Sequence, residues 1–326
     1  MMKQIMSSNK ITSGVLFASL LVLLASCSYA VLSTLVIMSG FDLPVLLVGK
    51  FFYGWVILGI IVLIVWLVYQ RKQPKREKST KPMGKRVLLM VIAGIVMALV
   101  TILYFHSFAV FGLPISLAVI LLFQYSWIGV VVESIARRKL PSKGKVIACI
   151  VILIGTILAG GILGADLSLA MMNPVGIICG VAAACCYAFF VYFSGQIETE
   201  MPPLHKSFLI ATVALVFVIL FIAVFYGGFE TVAAAFMNFD ALQFSIPLGI
   251  FGIAIPVFFL AVGAPKISTG MATILNSAEL PVEVLLAALV IGESVVALRW
   301  VGVVIILLGI ALPYIIEKRI TSGLET

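Results

Sequence analysis

The sequence predicts an all-α integral membrane protein of ten transmembrane helices, arranged as two inverted five-helix repeats. Three observations predict it. They are an oil-like composition, ten apolar segments of membrane-crossing length, and short motifs that recur in the same order in both halves. Of 326 residues, 63% are hydrophobic and 10% charged; soluble domains run at about 45–50% and about 25%. No soluble interior hides that much apolar surface. Secreted, nuclear, cytosolic and disordered proteins are therefore excluded.

The segments come next. Helices are expected near 12–38, 43–69, 86–105, 113–136, 145–164, 174–195, 207–226, 245–263, 267–290 and 297–316. Each has roughly the 20 residues that a crossing needs, which leaves short loops and no catalytic domain outside the bilayer. The connection 227–244 carries Glu230 and Asp240 and has room for a short interfacial helix. Near the start, Leu24 to Cys27 looks like a lipoprotein cleavage site, but the apolar run continues to Met38, longer than a signal core.

The net charge is +8, and its placement argues against nucleic acid. The basic residues gather in two runs between apolar segments, Arg71–Arg86 and Arg137–Lys145. Such loops orient a membrane protein and touch anionic lipid headgroups, here above all at Arg71–Arg86. With ten helices and a cytoplasmic amino terminus, 19 of the 21 Lys and Arg residues face inside. Arg299 falls outside and Lys50 within a helix. The expectation is a multi-pass plasma-membrane protein with both termini in the cytoplasm. The five cysteines lie in apolar runs without metal-ligand spacing, so they read as small fillers. No metal and no cofactor is expected.

The repeat is read from matched residues. Ala25 to Ala30 is answered by Ala183 to Ala188, with Cys27 on Cys185, Tyr29 on Tyr187 and, further on, Pro44 on Pro202. Ser116, Gln124 and Val130 are answered by Ser268, Asn276 and Val282, and Gly155 by Gly309. The repeats are 12–164 and 174–316. Five helices is an odd number, so the second copy enters the membrane from the opposite face. Inverted repeats mark secondary transporters, whose site lies near the midplane between the halves.

Ionisable residues at membrane depth are functional candidates by default. Lys50 lies in the second helix; Glu279 and Glu283 lie in the ninth, four apart on one face with Asn276. Three readings stay open. Glu283 pairs structurally with Lys50; Glu279 or Glu283 carries a coupling proton; or these groups bind a polar solute such as an amino acid. Pro281 cannot donate an N–H, which frees the carbonyl of Ser277 beside them. The repeat predicts a counterpart wall of Gln124 and Trp127, and a second related pair in Tyr29 and Tyr187, whose hydroxyls need partners. The substrate-binding candidates are thus Tyr29, Lys50, Gln124, Trp127, Tyr187, Asn276, Glu279 and Glu283. Glu133 and Arg137 read as a local ion pair, and the glycine spacings at Gly160/Gly164 and Gly176/Gly180 as helix packing.

The stretch from Pro265 to Glu317 carries a family resemblance. Ser268-Thr269-Gly270, Glu279-Leu280-Pro281-Val282, Ile291-Gly292-Glu293, Gly302 and Gly309 resemble the EamA-type transporters of the drug/metabolite transporter superfamily, as do Pro44 and Lys50. The first repeat departs from the pattern, with Gly129 where the second has Pro281 and Arg138-Lys139 where it has Gly292-Glu293. Glu279 and Glu283 are not part of the general motif, which assigns them to substrate or coupling ion. The resemblance implies a secondary active transporter that moves a small metabolite by alternating access. Export of an amino acid or related solute is favoured; a metabolite importer or a drug efflux carrier is the alternative within the fold. An intramembrane enzyme is the rival from another class, and no His-Glu-x-x-His, Gly-x-Gly-Asp or phosphate-binding glycine loop supports it. The expected partners are a small-molecule substrate and a coupling proton.

Overall fold

The computed structural model describes residues 2–69, 83–161, 173–197 and 200–323, with side chains for 14–68, 84–161, 173–197 and 200–316. Every regular element among them is a helix. Lipid offers no hydrogen bonds to a backbone, so a spanning segment must satisfy its own N–H and C=O groups. The order is α1 (Met2–Ser39), α2 (Leu43–Tyr69), α3 (Met83–Ala109), α4 (Ile115–Arg137), α5 (Lys143–Ala159), α6 (Pro174–Gln196), α7 (Pro203–Phe225), α8 (Phe239–Lys266), α9 (Thr269–Ile291) and α10 (Ala297–Gly323). The connection after α7 does contain a short helix, Phe229–Phe236.

Nine of these helices are long and apolar enough to cross a membrane, so the chain is a multi-pass membrane protein. The remaining one, α5, has 17 residues. At 1.5 Å per residue it reaches about 26 Å, the lower limit for a crossing. Most of the run Arg71–Arg86 lies outside the described residues, as do Asp166, Gly164 and the side chains of Lys3, Lys10, Lys318 and Arg319.

Two helices are interrupted at corresponding places. α4 breaks at Phe123–Gln124 and α9 at Ser277–Ala278. Both breaks are tight turns: Gln124 N–H bonds Leu121 O, and Ser277 N–H bonds Ile274 O. In α9 the cause is Pro281, which cannot donate to the ladder. In α4, which has glycine there instead, the Gln124 side chain donates to Ile120 O at 2.9 Å and competes with the backbone. The expected free carbonyl was that of Ser277. The carbonyl that recruits side chains is one residue earlier: Asn276 O accepts from Ser26 Oγ at 2.6 Å and from Tyr125 Oη at 2.8 Å.

The main packings fall into reciprocal pairs. α1 lies on α8 and α9; α6 lies on α3 and α4. α2 lies on α8, and α7 on α3. The contacts α2 on α7, α4 on α9 and α5 on α10 each map onto themselves when every helix is exchanged for the one five places on. The α5–α10 contact is reciprocal residue by residue. Gly155 faces Ile306, and Gly309 faces Ile152. Without an apolar driving force between helices in lipid, close approach of small residues supplies the contact. At Gly302 a Cβ would meet the Ala159 nitrogen and stand 2.7 Å from Gly155 O. Gly302→Ala is therefore expected to destabilise the detergent-solubilised protein by about 1–3 kcal/mol. Gly84→Ala, with open space around it, is expected to leave the thermal midpoint unchanged.

The bundle has two ends. One, here the basic face, holds Arg137, Lys145, Lys206 and Lys266; the other, the far face, holds Ser39, Phe41, Phe244 and Arg299. On the basic face Glu133 is 3.4 Å from Arg137, as expected from their spacing, but Lys145 stands closer at 2.8 Å.

Candidate functional site

A chamber opens inside the bundle between α1, α2, α3, α4, α6, α8 and α9. Its wall is mainly apolar and rich in aromatic rings. Tyr29 meets Tyr187 edge to face at 5.9 Å, and Tyr125 meets Tyr187 at 4.4 Å. Tyr104, Phe105 and Phe108 on α3 form the opposite side. Three charged side chains interrupt the aromatic surface: Lys50, Glu279 and Glu283. A second, more polar chamber adjoins the first towards the far face and shares Ser33, Ile37, Ile115 and Glu283 with it. Measured to the centres of water-sized spheres, the inner chamber holds about 100 Å³ and the outer about 490 Å³. The inner one is narrow in this state and takes a small solute only if its aromatic rings shift.

Lys50 is 5% exposed. Its Nζ donates to Thr101 Oγ1 at 3.0 Å, and it lies 5.6 Å from the centre of the Phe51 ring. Gly252 on α8 makes room for it, since a Cβ there would stand 2.7 Å from Lys50 Cε. The carboxylate whose charge reaches Lys50 is Glu279. A Lys50–Glu283 ion pair, expected from their similar depth, is not formed. Glu283 instead has the Ser33 hydroxyl beside it and feels the charge of Arg299. Depth along two helices does not fix which faces meet; both acidic residues lie beyond the α9 break, in the segment Glu279–Leu286.

The same breaks explain where the other candidates lie. Trp127 and Gln124 are not brought to the chamber. Trp127 is 40% exposed on the outside of the bundle, and its Nε1 donates to Gln124 Oε1 at 2.8 Å. A tight turn advances about 120° per residue rather than about 100°, so the i+3 reckoning from α9 to α4 slips across it. Tyr125, one residue after Gln124, takes the place on the chamber wall. Asn276 is fully buried and does not line the chamber; it lies on the near side of the α9 break, beneath Tyr125. Tyr29, Lys50, Tyr187, Glu279 and Glu283 do come together there. Sequence reasoning missed Ser33, Thr101, Tyr104 and Tyr125. Ser33 stands four residues after Tyr29, a signal that helical spacing offered. Trp127→Leu, directed outward, is expected to change solute flux by no more than about 0.5 kcal/mol, or about twofold. Tyr125→Leu is expected to cost more.

The comparisons with known proteins bear on this arrangement. The EamA-like transporter family model matches residues 174–315, the stretch that supplies α6 to α10 and both acidic residues. That match supports a membrane transporter for the segment it covers. A solved chain, described only as a crystal structure of a protein, is similar in fold to this one. It is 15% identical with a TM-score of 0.71, over 93% of this chain and 98% of its own. At that identity it speaks for the fold alone. Among curated proteins none matches. The matched segment supplies Tyr187, Glu279 and Glu283 to the chamber, and the residues before it supply Tyr29 and Lys50.

Proposed function

We propose that this chain is a secondary active transporter of the plasma membrane that moves a small amine-bearing metabolite, such as an amino acid, by alternating access. One observation carries the reading: two carboxylates and one ammonium share a mainly apolar chamber, rich in aromatic rings, inside the bundle. Ionised together they leave one negative charge, and an uncompensated charge at that depth is costly. A solute amine or a proton balances it, and aromatic faces attract a cation further. Lys50 is positioned to meet a solute carboxylate. The chamber adjoins the far face through its wider neighbour, while the basic face is tied shut by Glu133 and Lys145.

Two features support the inverted repeat, with the first at 12–164 and the second at 174–316. The packings are reciprocal, and Gly155 and Gly309 face each other's isoleucines. The basic face, by the excess of Lys and Arg in membrane loops on the inner side, is the cytoplasmic one. Both termini are then inside, and the chamber is open outward in this state. Export, proton coupling and contact of Arg71–Arg86 with anionic headgroups complete the reading.

The test uses proteoliposomes of the purified protein with an amino-acid mixture on one side and an imposed pH gradient. Mass spectrometry of the lumen reads which solutes cross. Gradient-dependent flux of one or a few amines is the expected result. Flux equal to that of protein-free liposomes for every amine would overturn the substrate class, and chemical alteration of a solute would point to an enzyme instead.

A further inference from the structure

Each end of the bundle carries a basic residue at the start of a helix, Lys145 on the basic face and Arg299 on the far face, and the two differ in what they hold. On the basic face, Lys145 at the start of α5 donates to both Glu133 oxygens at 3.0 and 2.8 Å and to Ser268 Oγ at 2.8 Å. Ser268 caps α9 by accepting from Met271 N–H, and Glu133 accepts from Gly270 N–H at 2.8 Å. These contacts bind α4, α5 and α9 together. Between that knot and the floor of the chamber runs a seam of fully buried polar residues, Ser126, Thr273 and Asn276. Thr273 Oγ1 donates to Ser126 O at 3.2 Å, but the Asn276 amide, the Ser126 hydroxyl and the Tyr187 hydroxyl find no protein partner. Buried polar groups without partners are costly and uncommon. Their line from chamber to knot marks a passage that another conformation would wet.

On the far face, Arg299 at the start of α10 holds the place of Lys145. Each precedes its member of the Gly155/Gly309 pair by the same ten residues. Arg299 Nη1 is 2.5 Å from Glu293 Oε1, and its Nε donates to Ala159 O at 2.9 Å. Ser116, at the start of α4, holds the place of Ser268. Arg299 and Ser116 both line the outer chamber, and no hydrogen bond joins them. The contact from base to serine that Lys145 makes with Ser268 on the basic face is not made here, where Arg299 holds Glu293 and Ala159 O instead.

We propose that Lys145 and Arg299 are alternating latches. In this state Lys145 shuts the basic face; in the exchanged state Arg299 reaches Ser116 and shuts the far face, while Lys145 leaves Ser268 and the Ser126–Thr273–Asn276 seam opens. The inference rests on the alternating-access reading and adds to it the residues that hold each end.

The test is made on the full chain with its native cysteines replaced, in detergent, with a small maleimide and a short bis-maleimide crosslinker as probes. Thr273→Cys reports the seam, Ser33→Cys the chamber, and the pair Ile115→Cys and Val296→Cys closure of the far face. In the native background Ser33→Cys reacts quickly and Thr273→Cys slowly. Lys145→Ala is expected to raise the Thr273→Cys rate about tenfold, equivalent to about 1.4 kcal/mol between the states, and to raise crosslinking of the far-face pair. Lys145→Arg restores both, and Arg299→Ala added to Lys145→Ala removes the gain in crosslinking. Unchanged rates in a monodisperse Lys145→Ala protein overturn the proposal, and so does a seam that opens without the far face closing. Should Lys145→Ala not fold, Ser268→Ala, which breaks one contact of the latch, reads the same two changes at smaller size. If Ser33→Cys itself fails to react in the native background, the open chamber is wrong, and the transport reading falls before the latches do.

Discussion

Lys50→Ala yields a protein that melts at markedly lower temperature and carries no solute. Lys50 is 5% exposed, and its ammonium is held by one hydroxyl, that of Thr101, and by the charge of Glu279. Among the described residues no ion pair joins the two at contact distance; removing Lys50 still leaves Glu279 buried without the cation that shares its chamber, at a cost of about 1–3 kcal/mol. The second variant that isolates the cause is Lys50→Met with Glu279→Gln. It removes both charges, so it is expected to recover most of the thermal midpoint in detergent while transport stays absent. If Lys50→Ala melts like the native protein, Lys50 does not balance Glu279. If Lys50→Ala with Glu283→Ala recovers stability and Lys50→Met with Glu279→Gln does not, the partner is Glu283, against the geometry.

Glu279→Gln abolishes flux driven by a pH gradient, and Glu283→Gln reduces it. The two carboxylates share α9 but not their surroundings. Glu279 lines the inner chamber together with Lys50. Glu283 lies on the boundary of both chambers, beside Ser33 and within reach of the charge on Arg299. A glutamine keeps the shape and one acceptor but cannot exchange a proton, so the variants separate binding from coupling. In proteoliposomes loaded with solute, Glu279→Gln is expected to retain gradient-independent exchange of solute for solute and to lose net movement. Net flux with native pH dependence in both variants would remove protons from the account and leave the carboxylates as ligands for the solute amine.

Much of the fold was legible because lipid leaves a chain few choices. Apolar runs of spanning length had to be helices; Gly155 and Gly309 were legible only as a repeat match, and that both lie in the α5–α10 contact needed the structure. The site was legible in part. Charges at depth announce themselves, so Lys50, Glu279 and Glu283 were found by type alone. Neutral residues were harder. Gln124 and Trp127 were placed by counting along unbroken helices, and the tight turn at Phe123–Gln124 redirected the count. Tyr125 is a better wall residue than either, yet nothing in an aromatic between Gln124 and Ser126 separates packing from lining. The partner of Lys50 was also out of reach, because which helix faces meet depends on crossings such as that of α2 with α8 at Gly252.

The central claim is that a solute passes through the chamber of Lys50, Glu279 and Glu283 by exposure to each side in turn. Ser33→Cys, on that chamber's wall, tests it most directly in uniformly oriented proteoliposomes treated with a membrane-impermeant maleimide on one side or the other. The account predicts labelling from both sides, blocked from both by the transported solute. Labelling from one side alone, with transport intact, would contradict it.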